Sequence, residues 1–139
     1  IKAFHDAIMF VKCIIGPYGS AKSVGCCWDL VFNLMKQKTQ KDGKKRGRYA
    51  IVRGTYRELE DSTIRTWMDW MSHLGEYSVT HHSFFLKHGE LEGEFMFRAL
   101  DKPDDVKKLL STEYTKAWLN EGREVPKSVF EALTGRLGR

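Results

Sequence analysis

Apolar residues come in short blocks cut by glycine, proline and charge, and the spacing inside each block predicts its element. Residues 7–15 (AIMFVKCII) form a continuous apolar and β-branched run ended by Gly16-Pro17, which predicts a buried strand. Residues 22–36 contain no proline and set Val24, Cys27, Trp28, Val31, Leu34 and Met35 at three- and four-residue steps, the stripe of a helix buried along one side. Residues 37–48 carry no large apolar side chain and predict an exposed, mobile loop, after which YAIV at 49–52 predicts a second buried strand. A helix follows over 59–71, with Leu59, Ile64, Trp67, Met68 and Met71 available for packing. Residues 77–86 and 93–100 read as strands, and the polar link Lys87-His88-Gly89-Glu90 makes them a hairpin. Pro103 opens a short helix to Leu110 with Asp104 and Asp105 in its first turn. Residues 114–119 predict a third core strand and 126–133 a helix entered by Pro126. Strands alternating with helices predict an α/β domain: a mostly parallel sheet flanked by helices, with a β-hairpin insertion.

Composition narrows the class. With 139 residues the chain is one domain's worth, and 42% hydrophobic residues exclude wholesale disorder. The net charge of +5 is local rather than general: residues 36–48 hold seven basic side chains against Asp42, a balance of +6, and the rest of the chain sums to −1. Three cysteines, two of them the neighbours Cys26 and Cys27, give neither a disulfide framework nor zinc-type spacing and suit a reducing cytosolic setting. No apolar run reaches the length of a membrane span and no signal peptide is visible. The chain starts at Ile1 and stops at Leu137-Gly138-Arg139 without a closing element, so the expectation is an excerpt of a longer polypeptide.

The candidate chemistry begins between the first strand and the first helix. Gly16-Pro17-Tyr18-Gly19-Ser20-Ala21-Lys22-Ser23 matches G-x-x-x-x-G-K-[ST] except that Ala21 stands where a second glycine is expected. A strand before the pattern and a helix after it are the context of a phosphate cradle. Backbone N–H groups and the helix N-terminus would then face phosphate, Lys22 would reach the phosphate oxygens, and Ser23 would ligate Mg²⁺. The same residues also read as a plain Gly/Ser turn with a solvated lysine. Downstream, the apolar run 115–119 ends in Asn120-Glu121, where the carbonyl of Asn120 can serve a metal-bound water and Glu121 can orient or deprotonate an attacking water.

Three segments together resemble the ATPase domain of tailed-phage terminase large subunits. They are Phe4-His5 through Ser23; Val52-Arg53-Gly54-Thr55-Tyr56-Arg57-Glu58-Leu59 with Ser62-Thr63-Ile64-Arg65-Thr66-Trp67; and Glu113 through Lys127, continuing to Gly135-Arg136-Leu137-Gly138-Arg139. The resemblance implies a P-loop NTPase fold and an ATP- and Mg²⁺-dependent motor that drives double-stranded viral DNA into a procapsid. It implies catalytic roles for Glu121 and Lys22, nucleotide binding by residues 16–23, and metal-side roles for Ser23 and Asn120, the last replacing a usual Asp. It further implies that residues 1–139 are a partial motor domain with a nuclease domain downstream. The implied partners are DNA, the portal and procapsid, and the small terminase subunit; the implied state is a homo-oligomeric ring in the host cytoplasm, away from membranes. A helicase-like P-loop translocase and a nucleotide-binding structural module with weak hydrolysis are the alternatives.

Other residues carry open readings. Phosphoryl transfer calls for a positive group on the developing charge. Arg53 at the end of the second strand, or Arg136 and Arg139 beyond the last helix, are the arginine-finger or sensor candidates, each equally a surface arginine. Lys44, Lys45, Arg46 and Arg48 are the densest part of the basic loop and the candidate DNA-phosphate contact, with a solvated insertion as the other reading. His81, His82 and His88 near Glu90, Glu92 and Glu94 have metal-ligand chemistry, but alternation along a hairpin puts the glutamates on one solvated face. Phe4 or His5 is a candidate for stacking on adenine, and the tryptophans read as packing residues.

Overall fold

The computed structural model of the chain describes residues 22–121 and 125–137. The expected first strand, the Gly16–Ala21 part of the phosphate-loop pattern, Phe4, His5 and Arg139 lie outside the described residues. Helix α1 (Lys22–Met35) buries the stripe that its spacing predicts, with Cys27, Leu30, Val31 and Leu34 enclosed.

Pattern and structure part at the next element. Strand β1 (Lys45–Arg53) begins four residues before YAIV, so Lys45, Arg46, Gly47 and Arg48 are strand and not loop. The reason lies in its neighbour. Strand β4 (Leu91–Ala99) runs parallel to β1 over its whole length and sets Glu92 opposite Arg46 and Glu94 opposite Arg48. Paired opposite charges support a strand where apolar burial is missing. Only residues 37–44 remain a loop, closed by a Gly43 N–H to Gln40 carbonyl bond of 2.9 Å with Gly43 at φ +83°.

The predicted helix 59–71 is present in altered form. It starts as α2 (Tyr56–Glu58), capped by Thr55, whose Oγ1 accepts the Glu58 N–H at 3.2 Å. It widens into a π-helical segment (Leu59–Ile64) and resumes as α3 (Arg65–Met71). The expected single strand 77–86 is instead two, β2 (Gly75–Ser78) and β3 (Ser83–His88), parted by a turn in which His82 takes φ +49°. The hairpin from β3 to β4 turns through Gly89 as expected. Helix α4 (Pro103–Leu110), strand β5 (Lys116–Leu119) and helix α5 (Lys127–Thr134) fall within two residues of their predicted limits.

The sheet has the order β2-β3-β4-β1-β5 and is mostly but not wholly parallel. Strands β4, β1 and β5 are parallel; β2 and β3 extend the sheet in antiparallel fashion. One face carries the larger core, where α1, the π-helical segment and α3 cover Tyr49, Ile51, Phe84, Leu86, Phe95, Phe97 and Trp118. Trp67 is fully buried at its centre, its ring 4.5 Å from Phe95 and edge-on to Phe84 and Phe97. The other face holds a smaller core in which α4 and α5 cover Ala50 and Val52 with Leu109, Tyr114 and Leu133. Tyr114 donates its buried hydroxyl to the Leu109 carbonyl at 2.7 Å.

Close packing on the first face needs two positions without side chains. Gly47 and Gly93 are register partners, next to the Tyr49–Phe95 pair whose rings stack at 4.9 Å. A β-carbon on Gly93 would stand 2.7 Å from the Phe95 ring and 2.8 Å from Leu34; one on Gly47 would stand 2.6 Å from the Tyr49 ring.

Candidate functional site at the strand ends

The three parallel strands end together, with Arg53 beside Ala99 and Val52 beside Leu119. In open α/β sheets this edge, outside the carboxyl ends of the strands, is where ligands bind. Three contacts give the direction of α1 against it. Lys45 Nζ donates to the Met35 carbonyl at 2.8 Å, Tyr49 hydroxyl to Asn33 Oδ1 at 2.9 Å, and Lys116 Nζ to Asp29 Oδ2 at 2.5 Å. Helix numbers fall as strand numbers rise, so α1 runs antiparallel to β1 and β5. At 1.5 Å per residue the helix climbs about 16 Å from Asn33 back to Lys22. At about 3.3 Å per residue β1 climbs about 13 Å from Tyr49 to Arg53. Lys22 and Ser23, with the N-terminal end of the helix dipole, therefore come to the strand-end edge.

Asn120 and Glu121 arrive at the same edge from β5. The Asn120 N–H donates to the Val52 carbonyl at 2.9 Å, continuing the pairing of β5 with β1 for one more residue. Its side chain is 8% exposed, and its Nδ2 donates to Thr63 Oγ1 at 2.6 Å; Thr63, in the π-helical segment, is 1% exposed. Glu121 is exposed and takes φ +56°, the left-handed region that a β-carbon disfavours by about 1–3 kcal/mol. Such strained backbone concentrates at functional sites. Arg53 reaches this edge as expected, and its Nη2 lies 3.0 Å from Glu58 Oε2 on α2.

Among the described residues, other candidates do not come to this edge. The Tyr114 N–H donates to the Arg136 carbonyl at 2.7 Å, which places the Arg136 backbone just before the start of β5, at the opposite end of that strand from Glu121. The basic residues lie away from the strand ends as well, against acids. Arg46 pairs with Asp42 at 2.6 Å and Glu92 at 3.2 Å, Arg48 with Glu94 at 3.0 Å, and Lys45 with Glu90 at 3.8 Å. Lys44 donates to the Gly89 carbonyl at 3.3 Å. The glutamates read as a solvated row thus serve as partners of the basic strand. His82 is engaged elsewhere, its Nδ1 2.9 Å from the Tyr56 hydroxyl.

Two residues near this edge escape a reading of the sequence. Thr63 is a polar residue buried at a helical position that nothing in the local pattern marks. Arg98 is the lone charge in the apolar second half of strand β4, residues 95–99, paired in register with Val52 and 7% exposed. Its guanidinium donates to the carbonyls of Phe97 at 3.0 Å and His81 at 3.3 Å, and burial lowers its pKa. That lone charge was the available signal.

Ser23, Asn120 and Glu121 offer hydroxyl, amide carbonyl and carboxylate oxygens, the donor type taken by a hard divalent cation such as Mg²⁺. The amide nitrogen of Asn120 is committed to Thr63, which leaves the carbonyl oxygen as that side chain's remaining polar atom. The residues present therefore fit a magnesium–nucleotide complex.

Known proteins share this fold. The solved structure of the large terminase from the thermophilic bacteriophage D6E is similar, with a TM-score of 0.71 at 11% identity over 87% of this chain and 29% of that one. A second crystal form of the same protein gives 0.66 at 11% identity over 87% and 28%. The chain spans less than a third of the length of these terminases. Among curated proteins none matches. The family described as phage terminase large subunit matches residues 9–139, nearly the whole sequence, and the chain belongs to that family.

Proposed function

We propose that this chain is the ATP-hydrolysing motor part of a DNA-packaging terminase, forming residues 1–139 of a longer protein with a nuclease domain downstream. The observation that carries the reading is the convergence of α1's N-terminus with Asn120 and the strained Glu121 at one edge of the parallel strands. Residues 16–21 would wrap the phosphates with their N–H groups, and Lys22 would neutralise the phosphate oxygens. Ser23 and Asn120 would hold the metal side of the nucleotide. Bound there, Mg²⁺ would neutralise the β- and γ-oxygens. Glu121 is exposed and held by its backbone where a carboxylate can orient a water for in-line attack on the γ-phosphate and take its proton. Adenine stacking would fall to Phe4 or His5.

Arg53, held by Glu58, is the sensor candidate within the chain. Arg136 starts from the far end of β5, so in this reading it and Arg139 act on a neighbouring subunit in a ring, as trans-acting arginines. The basic stretch at Lys44, Lys45, Arg46 and Arg48 would grip DNA phosphates by exchanging acid partners for phosphate. Replacing any one of these four by Gln should then lower the salt slope of DNA binding by about one. Double-stranded DNA, a portal on the procapsid and a small subunit are the proposed partners, in the host cytoplasm.

The test is DNA-stimulated ATP turnover by the full chain. Glu121→Gln should lower kcat by about 10²–10⁴ with little change in nucleotide affinity. Turnover that survives this change unaltered removes Glu121 from the mechanism. Binding of Mg·ATP without any turnover would favour the structural-module alternative.

A further inference from the structure

Seven basic side chains stand between Lys36 and Arg48, and the structure divides them. Lys45, Arg46 and Arg48 pair with Glu90, Glu92 and Glu94, and Lys44 donates to the Gly89 carbonyl. Asp42, the one acid of the stretch, is taken as well: its Oδ2 pairs with Arg46 at 2.6 Å and its Oδ1 accepts the Lys44 N–H at 3.1 Å. Lys36, Lys38 and Lys41 are exposed, and their ammonium groups have no hydrogen bond or ion pair among the described residues. Asp42, Glu90, Glu92 and Glu94 offset four of the seven charges, so a surplus of three stays at this end of the sheet. Lys36 directly follows α1, where a cation also suits the helix dipole, but Lys38 and Lys41 lie beyond it and have no such task. The backbone that carries them is anchored at both ends. Gln37 Nε2 donates to the Asn33 carbonyl at 3.1 Å, and Arg46 donates to Gln40 Oε1 at 2.6 Å.

We propose that Lys36, Lys38 and Lys41 are the standing contact of this chain with double-stranded DNA, held to backbone phosphates without regard to sequence. This inference rests on the DNA-packaging reading above and deepens it. The four residues named there reach phosphate only by releasing a partner; these three have none to release. Residues 36–48 include no aromatic side chain on which an unstacked base could lie, and lysine is a point charge without the paired donors that read a base edge. That chemistry suits the regular phosphates of a duplex better than a single strand. The surface lies at the opposite end of β1 from the candidate nucleotide site, about 26 Å away along the strand. Helix α1 runs between the two, with Ser23 in its first turn and Lys36 just past its last residue.

The experiment measures binding of the full chain to a labelled duplex of about 30 base pairs by fluorescence anisotropy, over about 50–200 mM salt, alongside urea unfolding. Lys36→Gln, Lys38→Gln and Lys41→Gln together should lower the salt slope by about three. The affinity lost should then shrink about fortyfold between about 50 and 200 mM salt. Arginine at the same three positions keeps the charge and should hold the slope within about half a unit of wild type. The urea midpoint should move little in either variant, since none of the three side chains packs against the fold. A slope that the triple glutamine variant leaves unchanged overturns this inference, while the packaging reading stands on wild-type binding. A wild-type chain that binds no duplex even at low salt overturns the DNA-binding part of that reading and this inference with it. Tighter binding to a single strand of the same length overturns the duplex assignment. Should the triple variant fail to fold, reductive methylation of the wild type decides: bound duplex must protect Lys36, Lys38 and Lys41, and equal labelling with and without DNA overturns the proposal.

Discussion

Strands β1 and β4 lie side by side for nine residues, and their two faces are held together by different physics. Toward α1 and α3 the paired positions are Gly47 with Gly93, Tyr49 with Phe95, and Ile51 with Phe97, a dry stack of rings seated over two glycines. On the opposite face the pairs are Arg46 with Glu92, Arg48 with Glu94, Ala50 with Met96, and Val52 with Arg98. There the outer half is a ladder of half-exposed ion pairs, and only the inner half is covered by α4 and α5. The first face supplies stability, because each enclosed ring removes a large apolar area from water. The second chiefly matches partners, since two arginines of one strand face two glutamates of the other.

The contrast breaks most violently at Trp67. Trp67→Ala empties the centre of the ring cluster and should cost about 3–5 kcal/mol in urea unfolding. Gly93→Ala tests the same face by overfilling it: a methyl group 2.7 Å from Phe95 and 2.8 Å from Leu34 should cost about 1–3 kcal/mol by thermal or urea unfolding. On the charged face the effects should be far smaller. Arg48 is 53% and Glu94 29% exposed, so Glu94→Gln should cost about 0.2–1 kcal/mol, a difference that fades in 1 M salt. A Glu94→Gln loss as large as that of Gly93→Ala would show that the ladder carries stability after all. The smallest effect belongs to Asp42, whose carboxyl is held below its ordinary value first by the hydrogen bond from Arg46 and next by the Lys44 N–H. A depressed carboxyl stabilises the fold above its unfolded pKa of about 4, and that contribution is lost as the pH falls from there through the lower folded value. A carbon-detected titration of Asp42 should show the low midpoint, and it should return toward the ordinary value in Arg46→Gln.

Helices and buried strands were legible where periodicity alone decides. The α1 stripe, the Pro103 helix and the apolar core of β1 follow from spacings of three, four and two residues. The start of β1 was not, because Lys45-Arg46-Gly47-Arg48 has no apolar side to bury. What makes it a strand is Glu92 and Glu94, 46 residues away in sequence. The break between β2 and β3 was hidden for a similar reason: residues 77–86 read as one strand until the turn at 79–82 lets β3 pair with both neighbours. At the site, Lys22, Ser23, Arg53, Asn120 and Glu121 could be named from motif and strand-end position. Thr63 could not, since its significance is a partner 57 residues further on.

By itself, then, the sequence determined the helices and the buried strand cores, the family and the residues that carry oxygen, nitrogen and charge to the strand ends, because those are local properties of spacing and side-chain chemistry. The tertiary structure decided which charges neutralise one another, which end of the sheet each arginine occupies, and what holds the amide of Asn120. Those are properties of register and direction. Two segments acquire them only when they lie side by side, at a separation that the local pattern does not encode.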